Sequence, residues 1–192
     1  MKRIIFASKN KGKILEVRHI LNDCNIELLS LLDYDGFPDI IESGVTFEEN
    51  AKIKAEAVYN HFRIPAIADD SGIEVKQLGW KPGVYSARYA GENATDDDNN
   101  KKLINEISRF PEPHHARYFC CAVYFDGYKM NPAFGEIKGR IIFTPRGTNG
   151  FGYDPYFVAD DYDVTMAELP PEIKNSISHR FRAFNEIKKF LK

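Results

Sequence analysis

Two adjacent carboxylates, Asp69 and Asp70, close an apolar run in the segment IPAIADDSGIE. Successive strand residues point to opposite faces, so the two side chains cannot easily share one task. Burying an unpaired carboxylate is costly. Either the segment is an acidic turn or something positive meets it there. A carboxylate so placed can hold Mg²⁺ through oxygen or act as a general base toward water. A source of positive charge lies near the N-terminus in SKNKGK, residues Ser8, Lys9, Asn10, Lys11, Gly12 and Lys13. This stretch falls between a strand pattern and a helix pattern. The C-terminal edge of an open α/β sheet binds ligands, and a helix N-terminus offers free N–H groups to an anion. It is not a Walker A loop, because G-x-x-x-x-G-K-[ST] is absent. A solvated basic turn is the plain alternative.

Three further stretches carry chemistry. Glu42 in IIESG and Glu49 offer additional oxygen ligands, and Mg²⁺ needs only one or two protein carboxylates beside substrate phosphate. Glu49 also suits a structural task, as the capping-box partner of Thr46. The loop GTNGFGYDP (147 to 155) combines small residues with two aromatics, which suits a platform for a base, although a tight loop with Phe151 in the core fits equally. KNSISHRFRA puts His179 and Arg180 in the first turn of the last helix. Cations belong at the opposite end of a helix dipole, and that local misfit favours a functional role. Together these stretches read as a site for a nucleoside polyphosphate with Mg²⁺.

The elements that must position these residues follow from periodicity. Residues 3 to 7 (RIIFA) and 26 to 31 (IELLSL) read as strands, and 14 to 21 as a helix with Ile14, Val17 and Leu21 on one face. Thr46 starts a helix to about residue 62, with Phe47, Ala51, Ala55, Val58 and Phe62 along one side. IPAIA is the next strand, ending at the aspartates, and GIEVKQL reads as another. This β-α-β-α-β order argues for an α/β fold. Residues 79 to 94 read as a loop, and Thr95 with Asp98 caps a helix to about 109. Residues 116 to 125 and 134 to 144 read as a hairpin pair. A turn of helix starts at Pro170 and Pro171, and Ser178 caps the final helix.

The chain of 192 residues suits one domain, 1 to 192, with two lobes allowed. Its 26 Lys and Arg balance 28 Asp and Glu, which argues against a broad nucleic-acid or membrane surface. Three cysteines without CxxC or Cys/His spacing suggest reduced thiols in a cytoplasmic protein. No stretch reads as a signal peptide or a membrane span.

The segments SKNKGK, SGVTFEENAKIKAEA, AIADDSGIEV, PGVYSARYAG, GTNGFGYDP and KNSISHRFRA resemble, in order and spacing, the inosine/xanthosine triphosphate pyrophosphatases. The resemblance runs from about residue 3 to 183. It implies an elongated two-lobed α/β fold with a mixed sheet and the nucleotide between the lobes, commonly dimeric. The implied activity is Mg²⁺-dependent hydrolysis of non-standard purine nucleoside triphosphates to monophosphate and pyrophosphate. Ser8 to Lys13 would hold the triphosphate, with Lys54 also reaching the phosphates. Asp70 would be general base and metal contact, Asp69 its helper facing a supporting partner, and Ser71 a substrate contact. Asp69 facing the lysine loop instead would reverse those two roles. Phe151, Gly152, Tyr153 and Asp154 would pack on base and sugar, while Lys174, His179 and Arg180 read the purine. The family commonly opens its first loop with Thr-Gly, where this chain has Ser8-Lys9. Many members carry two acidic residues before the Ser-Gly turn, where this chain has Ile41 and Glu42. Glu42 is therefore the expected second metal ligand, with Glu49 in reserve. Competing expectations are a Maf-like pyrophosphatase, which SHR argues against, and a catalytically silent nucleotide sensor, which the intact carboxylates argue against.

Overall fold

A computed structural model describes residues 1–191. In chain order the strands are β1 (Lys2–Phe6), β2 (Ile26–Ser30), β3 (Ala66–Val75), β4 (Lys81–Pro82), β5 (His114–Phe125), β6 (Met130–Ile141) and β7 (Phe157–Ala159). The α-helices are α1 (Lys11–Ile20), α2 (Phe47–Phe62), α3 (Asp96–Ile107), α4 (Pro171–Ile177) and α5 (His179–Ile187). The sheet order is β2-β1-β3-β5-β6-β7, with β4 beside β3. β1 runs parallel to β2 and β3, whereas β3/β4 and β6/β7 are antiparallel, so the fold is mixed α/β.

The chain divides into two compact units. The first comprises residues 1 to 70, 120 to 135 and those from 179 onward. Ile4, Ile5 and Phe6 are all buried, as expected of a parallel strand covered on both faces. Its core joins Ile4, Phe6 and Ile67 of the sheet to Ile14, Val17 and Ile20 of α1 and Phe184 and Ile187 of α5. The second unit comprises residues 71 to 119 and 136 to 178. Ile73, Leu103, Ile107, Tyr118, Ile141, Phe157 and Met166 form its core.

Several elements differ from the sequence reading: GIEVKQL is not a separate strand but continues β3 to Val75, and β6 begins at Met130 and ends at Ile141. The helix expected from residue 14 begins at Lys11, so the second half of SKNKGK is its first turn. Asn10 is the N-cap, its side chain accepting the Lys13 N–H at 3.0 Å. The acidic pair lies in the middle of a ten-residue strand, not at a strand end. The supposed turn stays extended because Ser86 replaces a turn's hydrogen bonds. Its hydroxyl accepts the Ile73 N–H at 2.9 Å and donates to the Gly83 carbonyl at 2.6 Å. Within the expected 79 to 94 loop, Gly83–Arg88 wind into a 3-10 helix.

Candidate active site

In the first unit, four chain segments converge on the two aspartates. β3 presents Asp69 and Asp70, both almost fully buried, to opposite faces. Asp69 faces the lysine loop, the orientation opposite to the expected one and the arrangement said to exchange the two aspartates' roles. Its Oδ2 lies 3.1 Å from Lys13 Nζ and accepts from Arg180 Nε and Nη2, each at 3.2 Å. Arg180, in the first turn of α5, also donates through Nη1 to Glu16 of α1. The misplaced cation at that helix start is thus answered by two carboxylates. α5 can sit there because Gly135 of β6 has no side chain. A Cβ at Gly135 would lie 2.1 Å from the His179 carbonyl oxygen. His179 begins the same helix and is mostly buried.

Asp70 has a different environment. Its Oδ1 accepts from Lys54 Nζ at 3.1 Å, and its Oδ2 from the Asn50 amide at 3.2 Å. Asn50 and Lys54 lie one turn apart on α2, so both reach the same carboxylate. Lys54 Nζ is also 3.3 Å from Glu42 Oε1. The Glu42 loop is tied down by the Gly44 N–H, which donates to Asn50 Oδ1 at 2.8 Å. Glu49 is engaged elsewhere. Its side chain accepts the Val45 N–H at 2.7 Å, and its own N–H donates to Thr46 Oγ1. This is a close relative of the expected capping box, with the carboxylate bonded one residue before the cap.

The two aspartates differ electrostatically. Burial alone would push the Asp69 carboxyl up, but Lys13, Arg180 and Lys54 outweigh it and hold it well below the usual carboxylate range. Burial does raise Asp70, against the pull of Lys54 and Lys13, and Glu42 adds to the rise. Burial would likewise weaken the Lys54 ammonium, yet Asp70, Glu42 and Asp69 raise its pKa. Lys9 does not join this cluster; its ammonium bonds Asp39 at 2.8 Å. Lys11 is exposed, and the Ser8 hydroxyl accepts the Asn10 N–H at 3.1 Å.

Among the described residues, no group of three or more His, Cys, Asp or Glu forms a metal cage. Two hard oxygen donors of the kind a divalent cation takes nevertheless lie side by side. Asp70 and Glu42 converge on the one Lys54 ammonium, at 3.1 and 3.3 Å.

The second unit holds the remaining candidates. Asp154 accepts at Oδ2 from Lys174 Nζ (2.7 Å) and the Phe151 N–H (3.0 Å), and at Oδ1 from the Tyr118 hydroxyl (3.2 Å). Lys174 Nζ lies 5.0 Å from the Phe151 ring centroid, a cation–π arrangement. Gly150, at φ +81°, must be glycine twice over, since a Cβ would fall 2.1 Å from Asp154 Oδ2. Tyr153 donates to the Ser86 carbonyl at 2.8 Å, and Ser71 follows Asp70 in β3. The sequence reading missed Glu16, Asn50 and Tyr118. Asn50 was detectable, four residues before Lys54 on one helix face. Glu16 and Tyr118 carried no local signal.

The Ham1 family sequence model matches residues 4–190. A dITP/XTP pyrophosphatase of Geobacter sulfurreducens is 48% identical, covering 100% of this chain and 97% of that protein. One from Bacillus subtilis is 43% identical, covering 100% and 98%. Among solved structures, a HAM1 protein from Coxiella burnetii superposes with TM-score 0.91 at 37% identity, covering 100% and 98%. The Staphylococcus aureus Ham1 protein gives 0.88 at 40% identity, covering 99% and 98%. No helix among the described residues is long and apolar enough to cross a membrane. With the match spanning nearly every residue from β1 to the C-terminal helix, the chain belongs to the Ham1 family.

Proposed function

We propose that the chain hydrolyses non-standard purine nucleoside triphosphates (inosine, deoxyinosine and xanthosine forms) to the monophosphate and pyrophosphate. The observation that carries this reading is the opposed setting of two adjacent buried carboxylates: Asp69 is held by Lys13 and Arg180, Asp70 by Asn50 and by a Lys54 ammonium shared with Glu42. Asp70 meets one ammonium where Asp69 meets two cations, so Asp70 is assigned the proton of the attacking water. Asp69, although it faces the lysine loop, is too fully compensated for that task. It fixes Lys13 and Arg180 in place. The relatives named dITP/XTP pyrophosphatase supply the substrate class.

Lys13 and Lys54, with the N–H groups at the start of α1, bind the triphosphate and stabilise the pyrophosphate leaving group in a preorganised field. Asp70 and Glu42 would hold Mg²⁺, which supplies charge neutralisation on the phosphates and polarises water. Phe151 to Asp154 and Lys174 engage base and sugar. His179 is the donor proposed for the six-oxo acceptor of hypoxanthine or xanthine against the adenine amine, and Arg180, engaged by Asp69 and Glu16, positions the start of α5 that carries it. The protein acts as a homodimer in this reading.

A panel of nucleoside triphosphates, assayed for pyrophosphate with and without Mg²⁺, tests the proposal. Inosine and xanthosine triphosphates should be favoured over adenosine triphosphate by about 10⁴-fold. A preference below about tenfold, release of orthophosphate, or full turnover in chelator would sink it.

A further inference from the structure

The loop proposed to hold the base lies in the second unit, and one residue in it is gripped from both sides of its backbone. The Gly152 N–H donates to Asp96 Oδ2 at 2.7 Å, and the Gly152 carbonyl accepts from the Asn100 side-chain amide at 2.9 Å. Asp96 is the first residue of α3, and Asn100 lies one turn on. The same Asn100 nitrogen donates to the Asp96 carbonyl at 2.8 Å, which fixes its rotamer. Its carboxamide oxygen is buried and makes no hydrogen bond among the described residues. A buried acceptor left without a bond has a cost. Here the amide faces the loop at the expense of its own oxygen.

Gly152 needs such a grip. It adopts φ +63°, and Gly150 two residues earlier adopts +81°, so this backbone has unusual freedom to lose on ordering. Asp154 closes the loop locally through the Phe151 N–H, while α3 holds Gly152 at both its N–H and its carbonyl. The α3 N-terminus is itself rigid. Thr95 and Asp98 form a reciprocal capping box, and helix dipoles favour an acidic side chain in that turn.

We infer that Asp96 and Asn100 are positioning residues, a latch by which the first turn of α3 sets the Phe151–Asp154 loop for the purine. This rests on the proposed pyrophosphatase reading. Asp96→Ala and Asn100→Ala should each raise KM for inosine triphosphate about five- to tenfold with kcat within about twofold, the effect of one lost hydrogen bond to a positioned loop. The Gly152 amide should exchange at least about tenfold faster by NMR in both variants. Asp96→Asn keeps an acceptor oxygen and should restore the wild-type KM. Asp97→Ala removes an acidic residue from the same turn, where Asp97 pairs with exposed Lys101, and should leave KM unchanged. Wild-type KM in both alanine variants would overturn the latch, as would an Asp97→Ala defect equal to that of Asp96→Ala. If the wild-type protein cleaves none of the triphosphates, the pyrophosphatase reading fails. The latch is then decided by the exchange of Gly152, unchanged protection refuting it.

Discussion

Asp69 and Asp70 are neighbours in sequence and opposites in chemistry. Strand alternation alone separates them, but it does not say which one stays charged. That is set by residues far away in the chain. Arg180 and Lys13 lock Asp69 as a carboxylate, while the lysine serving Asp70 is divided with Glu42. The lysine loop and the acidic pair were legible as partners. That Lys13 reaches Asp69 while Lys9 finds Asp39 was not. Replacing Asp70 by Asn keeps its shape and its bond from Lys54 but removes the base. In this variant kcat should fall about 10²- to 10⁴-fold while nucleotide affinity holds. Calorimetric binding of a non-hydrolysable inosine triphosphate analogue beside steady-state turnover would check both. Turnover within about tenfold of wild type would refute the assignment.

At the scale of elements, helix starts were the most legible features. Thr46 and Thr95 with their acidic partners, and the β-branched runs of β1 and β2, are local signals. β3 was misread because Ser71-Gly72 looks like a turn and its extension depends on a contact from outside the segment. Gly72 lies against the Gly83–Arg88 helix so closely that a Cβ would sit 2.3 Å from Ser86 Oγ and 2.4 Å from the Gly83 carbonyl oxygen. A backbone oxygen cannot rotate aside as a side chain can. Gly72→Ala should therefore destabilise the protein by about 1–3 kcal/mol, the usual cost of forcing extra volume into a packed site. It should also lower kcat, since Gly72 is two residues from Asp70 on one strand. Urea unfolding and steady-state kinetics read the two effects. A variant with unchanged stability would mean that the 3-10 helix yields freely.

For the whole molecule, near-neutral net charge conceals a dense internal cluster. Lys13, Lys54 and Arg180 face Glu16, Glu42, Asp69 and Asp70, all in the first unit. Composition could not reveal it, because Glu16 and Arg180 are 164 residues apart in the chain. Such a cluster makes stability depend on acid. The Asp69 carboxyl titrates below its unfolded value, so its stabilisation is complete above about pH 4 and is lost as pH falls further. Asp70 titrates above its unfolded value and has the opposite sign, since the native state takes up that proton first. The two act in adjoining windows, Asp70 favouring the native state as pH falls toward about 4 and Asp69 withdrawing its support below that. Urea midpoints should accordingly not decline between neutrality and about pH 5 and should fall steeply below about pH 4. Asp69→Asn leaves Arg180 and Lys13 facing a neutral amide. It should cost roughly 3–5 kcal/mol at neutral pH, as removal of one partner from a buried ion pair does, and the acid limb should flatten. An acid limb in Asp69→Asn as steep as in wild type would place the responsible carboxylate elsewhere in the chain.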